Sequence, residues 1–168
     1  GDICNFAGYP KRMVAELEAA SDKIIQSGTA CFAMGGDHFI SLPLLRAHVR
    51  KYGPVALIHF DAHTDTWVDE DYNHGTMFYH AIKEGLLDIE HSIQLGIRTP
   101  NPNTHDIEII YADELDEMNA SQVAARIKER VGDKCAYLTF DIDFLDPAYA
   151  PGTGTPVSGG PTVIMGRK

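Results

Sequence analysis

Val55-Ala56-Leu57-Ile58-His59-Phe60-Asp61-Ala62-His63-Thr64-Asp65 (residues 55–65) is an apolar run that ends in a cluster of acids and imidazoles. Gly53-Pro54 breaks the chain just before it, so residues 55–60 read as a strand buried on both faces. Two other segments repeat the pattern. TACFAM (29–34) leads into Gly35-Gly36-Asp37-His38, and CAYLTF (135–140) leads into Asp141-Ile142-Asp143. SIQLGI (92–97) and IEIIY (107–111) supply two more short apolar runs with strand character.

Helical patterns fill the intervals. Residues 10–27 place Met13, Val14, Leu17, Ile24 and Ile25 on one face, and Gly28 suits a stop. Residues 41–52 form a second helix, with Ser41 expected as its N-cap. A short helix is expected at 76–84. Another is expected at about 120–131, with Val123, Ala124, Ile127 and Val131 on one face. Buried strands alternating with amphipathic helices predict a mainly parallel sheet covered on both sides, an α/β sandwich.

Composition narrows the function. The net charge is −10, from 14 basic and 24 acidic residues. A surface of that sign repels phosphates, which argues against a nucleic-acid or anionic-membrane partner. No apolar stretch reaches the roughly 20 residues of a membrane-spanning helix. Cys4, Cys31 and Cys135 are widely spaced and form no CxxC pair. They read as reduced thiols of a cytoplasmic protein, with Cys31 and Cys135 buried in their apolar runs.

The three polar segments follow strands, and ligands of open α/β sheets bind beyond the carboxyl ends of strands. Residues two apart in an extended segment face the same way, so Asp61, His63 and Asp65 can share a centre, as can Asp141 and Asp143. A lone Asp after a strand is usually a turn or cap residue, and a lone His a hydrogen-bonded structural one. Six such groups at three strand ends are different. So many acids together would repel one another unless cations neutralise them. Carboxylate and imidazole without thiolate favours Mn²⁺ or a similar ion over a structural zinc. His38, Asp61, His63, Asp65, Asp141 and Asp143 are too many for one open site; they suit two ions about 3.5–4 Å apart that activate a shared water.

Gly-Gly-Asp-His (35–38), Phe-Asp-Ala-His-Thr-Asp (60–65) and Thr-Phe-Asp-Ile-Asp-Phe-Leu-Asp-Pro-Ala-Tyr-Ala-Pro-Gly-Thr-Gly-Thr-Pro (139–156) resemble the three signatures of the ureohydrolases, the family of arginase and agmatinase. The resemblance implies an arginase-like three-layer α/β/α sandwich and two Mn²⁺ per chain. It assigns His38 and Asp65 to the first ion and His63 and Asp143 to the second, with Asp61 and Asp141 bridging. Asp65 would also accept a hydrogen bond from the attacking water, and His74 would assist proton transfer to the leaving amine. The alternative for His74 is a solvated loop histidine. His-Gly-Thr-Met-Phe (74–78) is similar to agmatinases, which implies hydrolysis of agmatine to putrescine and urea by a homo-oligomer.

Several readings stay open at this stage. Trp67 either lines the pocket or covers the core, and Asp69-Glu70-Asp71 either steers a cation or is a solvated turn. Gly152, Gly154 and Gly159-Gly160 suit a tight loop near the metals, Asp146-Pro147 a turn, and Arg98 a structural pairing residue. His48, His59, His80, His91 and His105 have no ligand-like context, and His59 is expected to be buried in its strand. The resemblance also implies further strands, helices and a guanidinium-binding Glu after Lys168, so residues 1–168 are expected to be the central portion of one domain, its sheet left with an unpaired edge. Competing functions are a guanidinobutyrase-like hydrolase, a two-metal phosphoesterase lacking its Gly-Asn-His motif, and a metal-binding fragment with poor catalysis.

Overall fold

The computed structural model describes Ile3 and residues 9–168. Cys4, expected as a reduced thiol, lies outside the described residues. Its strands are β1 (Ala56–Phe60), β2 (Ile93–Ile97), β3 (Glu108–Tyr111) and β4 (Ala136–Phe140). All three pairings are parallel, in the order β3-β2-β1-β4. The helices are α1 (Pro10–Gln26), α2 (Ser41–Tyr52), α3 (Met77–Lys83), α4 (Ala112–Asp116), α5 (Ala120–Val131) and α6 (Val163–Arg167).

Side chains alternate across β1, and that alternation builds two cores. Leu57 packs with Val14 of α1, Leu42 and Leu45 of α2, and Met77, Phe78 and Ala81 of α3. Ala56 faces the opposite way, with Ile93, Leu95 and Ile110, against Leu115 of α4 and Val123 and Val131 of α5. Helices therefore cover both faces of a parallel sheet, as the sequence predicts. Full burial of a side chain such as Leu42, Leu45 or Phe78 contributes about 1.5–3 kcal/mol each. Gly53 ends α2 with φ 73°, a left-handed conformation open to glycine. Asn119 opens α5 through a reciprocal capping box with Gln122.

Three expectations need correction. Residues 29–34 form no regular element and pair with no strand among the described residues. Phe32 and Met34 are 88% and 87% exposed, so apolar character alone did not supply a ladder partner. β4 is an edge strand and not a buried one: Leu138 is 62% exposed, Cys135 is exposed, and Cys31 is only half-buried. A trough of about 710 Å³ separates residues 31–35 from β4. Ser41 is not an N-cap, because a 3-10 turn at His38–Ile40 runs directly into α2, and the Asp37 side chain caps that turn.

Candidate metal centre

Strand register sets the site. Phe60 of β1 pairs with Phe140 of β4, so Asp61 and Asp141 emerge side by side at the carboxyl end of the sheet. The Asp61 amide donates to the Leu95 carbonyl (3.1 Å) and the Asp141 amide to the Phe60 carbonyl (2.9 Å), which ties both acids to the ladder's end. Beyond them the backbone turns sharply. Asp61 Oδ1 accepts from the His63 amide (2.7 Å), and Asp141 Oδ1 accepts from the Asp143 amide (2.9 Å). Asp143 Oδ1 in turn accepts from the Ala62 amide (3.1 Å), which locks the two segments together. Asp65 takes up φ 52°, uncommon for a residue with a Cβ but tolerated by Asp.

The side chains converge in two groups. His38 Nδ1 lies 3.0 Å from Asp61 Oδ2, 3.1 Å from Asp65 Oδ2 and 3.2 Å from Asp141 Oδ2. None of these approaches has hydrogen-bond geometry, and the nitrogen is buried without a hydrogen-bond partner among the described residues. The opposite ring nitrogen of His38 is 2.8 Å from Thr139 Oγ1. A histidine anchored through one nitrogen, with the other aimed at three carboxylate oxygens, is the arrangement of a metal ligand. In the second group His63 Nδ1 is 3.1 Å from Asp143 Oδ2 and 3.3 Å from Asp61 Oδ1. Asp61 thus presents one oxygen to each group.

Electrostatics agree with the geometry. Burial opposes charge on His38, but Asp141, Asp61 and Asp65 outweigh it and hold its pKa well above the ordinary value. Asp143 and Asp61 lift His63 to about 10. Burial acts against an ionised Asp61 too, yet His59 and His38 keep it well below the usual carboxylate range. Asp65 rises to about 6, first through burial and then through the charge of Asp61. Burial likewise raises Asp143, only partly offset by His63. Without an ion, then, the centre retains its negative charge by holding protons on its imidazoles. A divalent cation fits the place of those protons.

The donor set opens into a cavity of about 410 Å³, whose wall includes His74, Trp67, Asn73 and Thr155. Trp67 therefore lines the pocket and does not cover the core. His74 stands at the rim, its Nδ1 3.2 Å from Asp37 Oδ2, with both side chains more than half exposed. Asp69, Glu70 and Asp71 lie outside this cavity; Glu70 pairs with Lys83, and Asp69 accepts from the Asp71 amide, which makes the run a turn. Thr153 and Gly154 line the cavity, placing the glycine-rich loop beside the acids. Asp146 forms the expected turn by accepting from Ala148, and it also accepts from the Gly159 and Gly160 amides.

Arg98, expected as a structural pairing residue, pairs with no carboxylate among the described residues. Its guanidinium donates to the carbonyls of Gly96, Asp143, Phe144, Leu145 and Val157, stitching the third segment and the glycine-rich loop to β2. Thr139 is foreshadowed only by its place before Phe140. Gln94 contacts His59, which in turn contacts Asp61; a polar residue inside the apolar run SIQLGI was the available signal. Asp141 joins the first group through Oδ2, while its other oxygen takes the Asp143 amide.

Comparison with known proteins follows the same lines. The chain is 50% identical to the agmatinase of Photorhabdus laumondii subsp. laumondii over 169 aligned residues, which cover all of this chain and 55% of that one. A crystal structure of a hypothetical agmatinase from Burkholderia thailandensis superposes with a TM-score of 0.95 at 48% identity, covering 99% of this chain and 54% of that one. Proclavaminate amidino hydrolase from Streptomyces clavuligerus superposes with a TM-score of 0.85 at 37% identity, over 90% and 54% of the two chains. The chain spans about half the length of the curated relatives it matches. The arginase family profile matches residues 1–167. With this fold and a cluster of acids and imidazoles suited to a metal cofactor, the chain belongs to the arginase family.

Proposed function

We propose that this chain carries the metal centre of an agmatinase-type ureohydrolase, which hydrolyses agmatine to putrescine and urea with two Mn²⁺ ions. The observation that carries the reading is His38 Nδ1, buried without a hydrogen-bond partner among oxygens of Asp61, Asp65 and Asp141. In this reading His38 and Asp65 would hold the first ion and His63 and Asp143 the second, with Asp61 and Asp141 contributing to both. When bound, the ions would supply the Lewis acidity that makes water nucleophilic at neutral pH.

The chain's own residues define what that water meets. The planar guanidinium is a cation, and Trp67 at the cavity wall is an aromatic residue of the kind that attracts cations. Asp65 accepts a hydrogen bond from the attacking water. His74, held through Nδ1 by Asp37, keeps Nε2 available to hand a proton to the departing amine. Close agmatinase relatives support the same substrate. Reduced, dispersed cysteines fit a cytoplasmic enzyme, and a symmetric homo-oligomer is the usual assembly of such proteins.

The test is direct. The Mn²⁺-loaded protein is incubated with agmatine and, separately, with 4-guanidinobutyrate, and urea and amine products are measured. Urea and putrescine in equal amounts from agmatine are expected. Turnover of the guanidino acid alone would transfer the assignment to a guanidino-acid hydrolase, and tight Mn²⁺ binding with neither product would refute a hydrolytic role.

A further inference from the structure

His59 lies in β1 two residues before Asp61, is fully buried, and has both ring nitrogens engaged. Its Nε2 is 2.8 Å from Asp61 Oδ2, and its Nδ1 is 3.0 Å from Nε2 of Gln94. Gln94 sits opposite it on β2, also fully buried. The same Gln94 nitrogen lies 2.7 Å from the Thr64 carbonyl oxygen.

These contacts determine where the protons are. A backbone carbonyl only accepts, so the group facing Thr64 must be the amide NH₂ of Gln94. Its second N–H points at His59 Nδ1, which must then accept and carry no proton. The remaining proton of the neutral ring is on Nε2, where it donates to Asp61 Oδ2. Thr64 thereby orients Gln94, Gln94 selects the tautomer of His59, and His59 grips the carboxylate that faces both halves of the centre.

We propose that Gln94 and His59 form a tautomer lock that positions Asp61, with His59 acting as a proton-bearing anchor and not as a metal ligand. The distinction matters because His59, by distance alone, belongs with His38, Asp61 and Asp65 in a group able to hold an ion. A nitrogen that keeps its proton has no lone pair for a cation. Gln94 Oε1 is buried without a partner, an unfavourable feature that an apolar side chain in β2 would avoid. The glutamine is there for its N–H groups. Phe78, fully buried, packs edge-on against His59 with ring centroids 4.7 Å apart and keeps water from competing for either nitrogen.

The functional importance of this lock rests on the reading of Asp61 as a metal ligand; the tautomer can be read without any metal. Protein labelled with ¹⁵N-histidine is studied by long-range ¹H–¹⁵N correlation, first metal-free and then with diamagnetic Zn²⁺. His59 is expected to show a protonated Nε2 and an unprotonated Nδ1 in both states. A proton on Nδ1, or loss of the Nε2 proton on adding Zn²⁺, overturns the proposal. Failure of wild-type protein to bind Zn²⁺ or Mn²⁺ would instead sink the metal reading, whatever the tautomer.

Gln94→Glu then sets an acceptor against Nδ1. It is expected to bring a proton to that nitrogen and to weaken Mn²⁺ binding roughly 10–100-fold, the usual effect of losing a ligand's supporting partner. An unmoved proton or an unchanged Mn²⁺ affinity in this variant overturns the lock. The wild-type spectrum decides the tautomer even if the variant does not fold.

Discussion

Loading the centre with metal should expel protons, and the number follows from the structure. Metal-free at pH 7, His63 carries a proton because Asp143 and Asp61 lift it to about 10. His38 carries one because Asp141, Asp61 and Asp65 outweigh its burial. Asp65, at about 6, is mostly ionised at that pH. An ion in each group needs both imidazoles neutral, so saturation with Mn²⁺ should release roughly two protons per chain. Stripping the proton from His63 at pH 7 costs about 4 kcal/mol, three pH units at about 1.36 kcal/mol each.

The sign is fixed: these groups have raised values, so rising pH removes the competing protons and tightens binding. Overall Mn²⁺ affinity should climb about a hundredfold per pH unit near pH 7, and level off as His63 is deprotonated near its own value of about 10. Isothermal titration calorimetry in buffers of different ionisation enthalpy counts the protons directly. His63→Asn should lower the count to roughly one. A count near zero in the wild type, or an unchanged count in that variant, would refute the argument that these imidazoles trade protons for metal.

Other outcomes follow from separate parts of the structure. Gly96→Ala places a Cβ 2.5 Å from two atoms of the Phe144 ring at a φ of 87°; strain and overpacking together should cost about 2–5 kcal/mol, read as a shifted urea midpoint, and an unchanged midpoint would contradict the packing described. His74→Asn should lower kcat for agmatine roughly 10²–10⁴-fold with Mn²⁺ content unchanged by elemental analysis, whereas unaltered kcat would leave His74 a solvated loop histidine. Removing Mn²⁺ from protein held in metal at about 100 times Kd should withdraw about 2.7 kcal/mol for each ion bound, a fall of roughly 5–11 °C in Tm per ion. An unmoved Tm would dissociate metal binding from folding.

The sequence was most informative where local pattern and tertiary role coincide. Residues 55–65 form a strand and a turn rich in acids and imidazoles because an apolar run and its polar ending each require one environment, and β1 occupies the middle of the sheet. CAYLTF has the same apolar character yet forms an edge, since position in a sheet depends on which segments pair and not on composition. TACFAM shows the same limit more sharply: it joins no ladder among the described residues. The approach of Asp61, Asp65 and Asp141 was legible from spacing after strands, whereas His38 joins them from a segment that is no strand. Gln94 was not legible, and Arg98 was legible only as a structural residue, because their partners are chiefly backbone carbonyls and a buried ring, which leave no motif. Trp67 could be placed only once the loop after Asp65 had a path.

The trough beside β4 gives the two halves of the centre unequal foundations. Asp61, Asp141 and Asp143 are fastened to neighbouring strands through their own amides and those beside them. His38 arrives from the far bank of that trough, on the turn leading into α2, whose Leu42 and Leu45 share a core with Val14 of α1. Thr139 Oγ1 gives the histidine one handhold on β4. The half around His63 and Asp143 is thus fixed by backbone amides at the ends of strands, while His38 is placed by α2, which rests on β1 through Leu57. A cavity cut at the α1–α2 seam should therefore disturb the position of His38 more than that of His63.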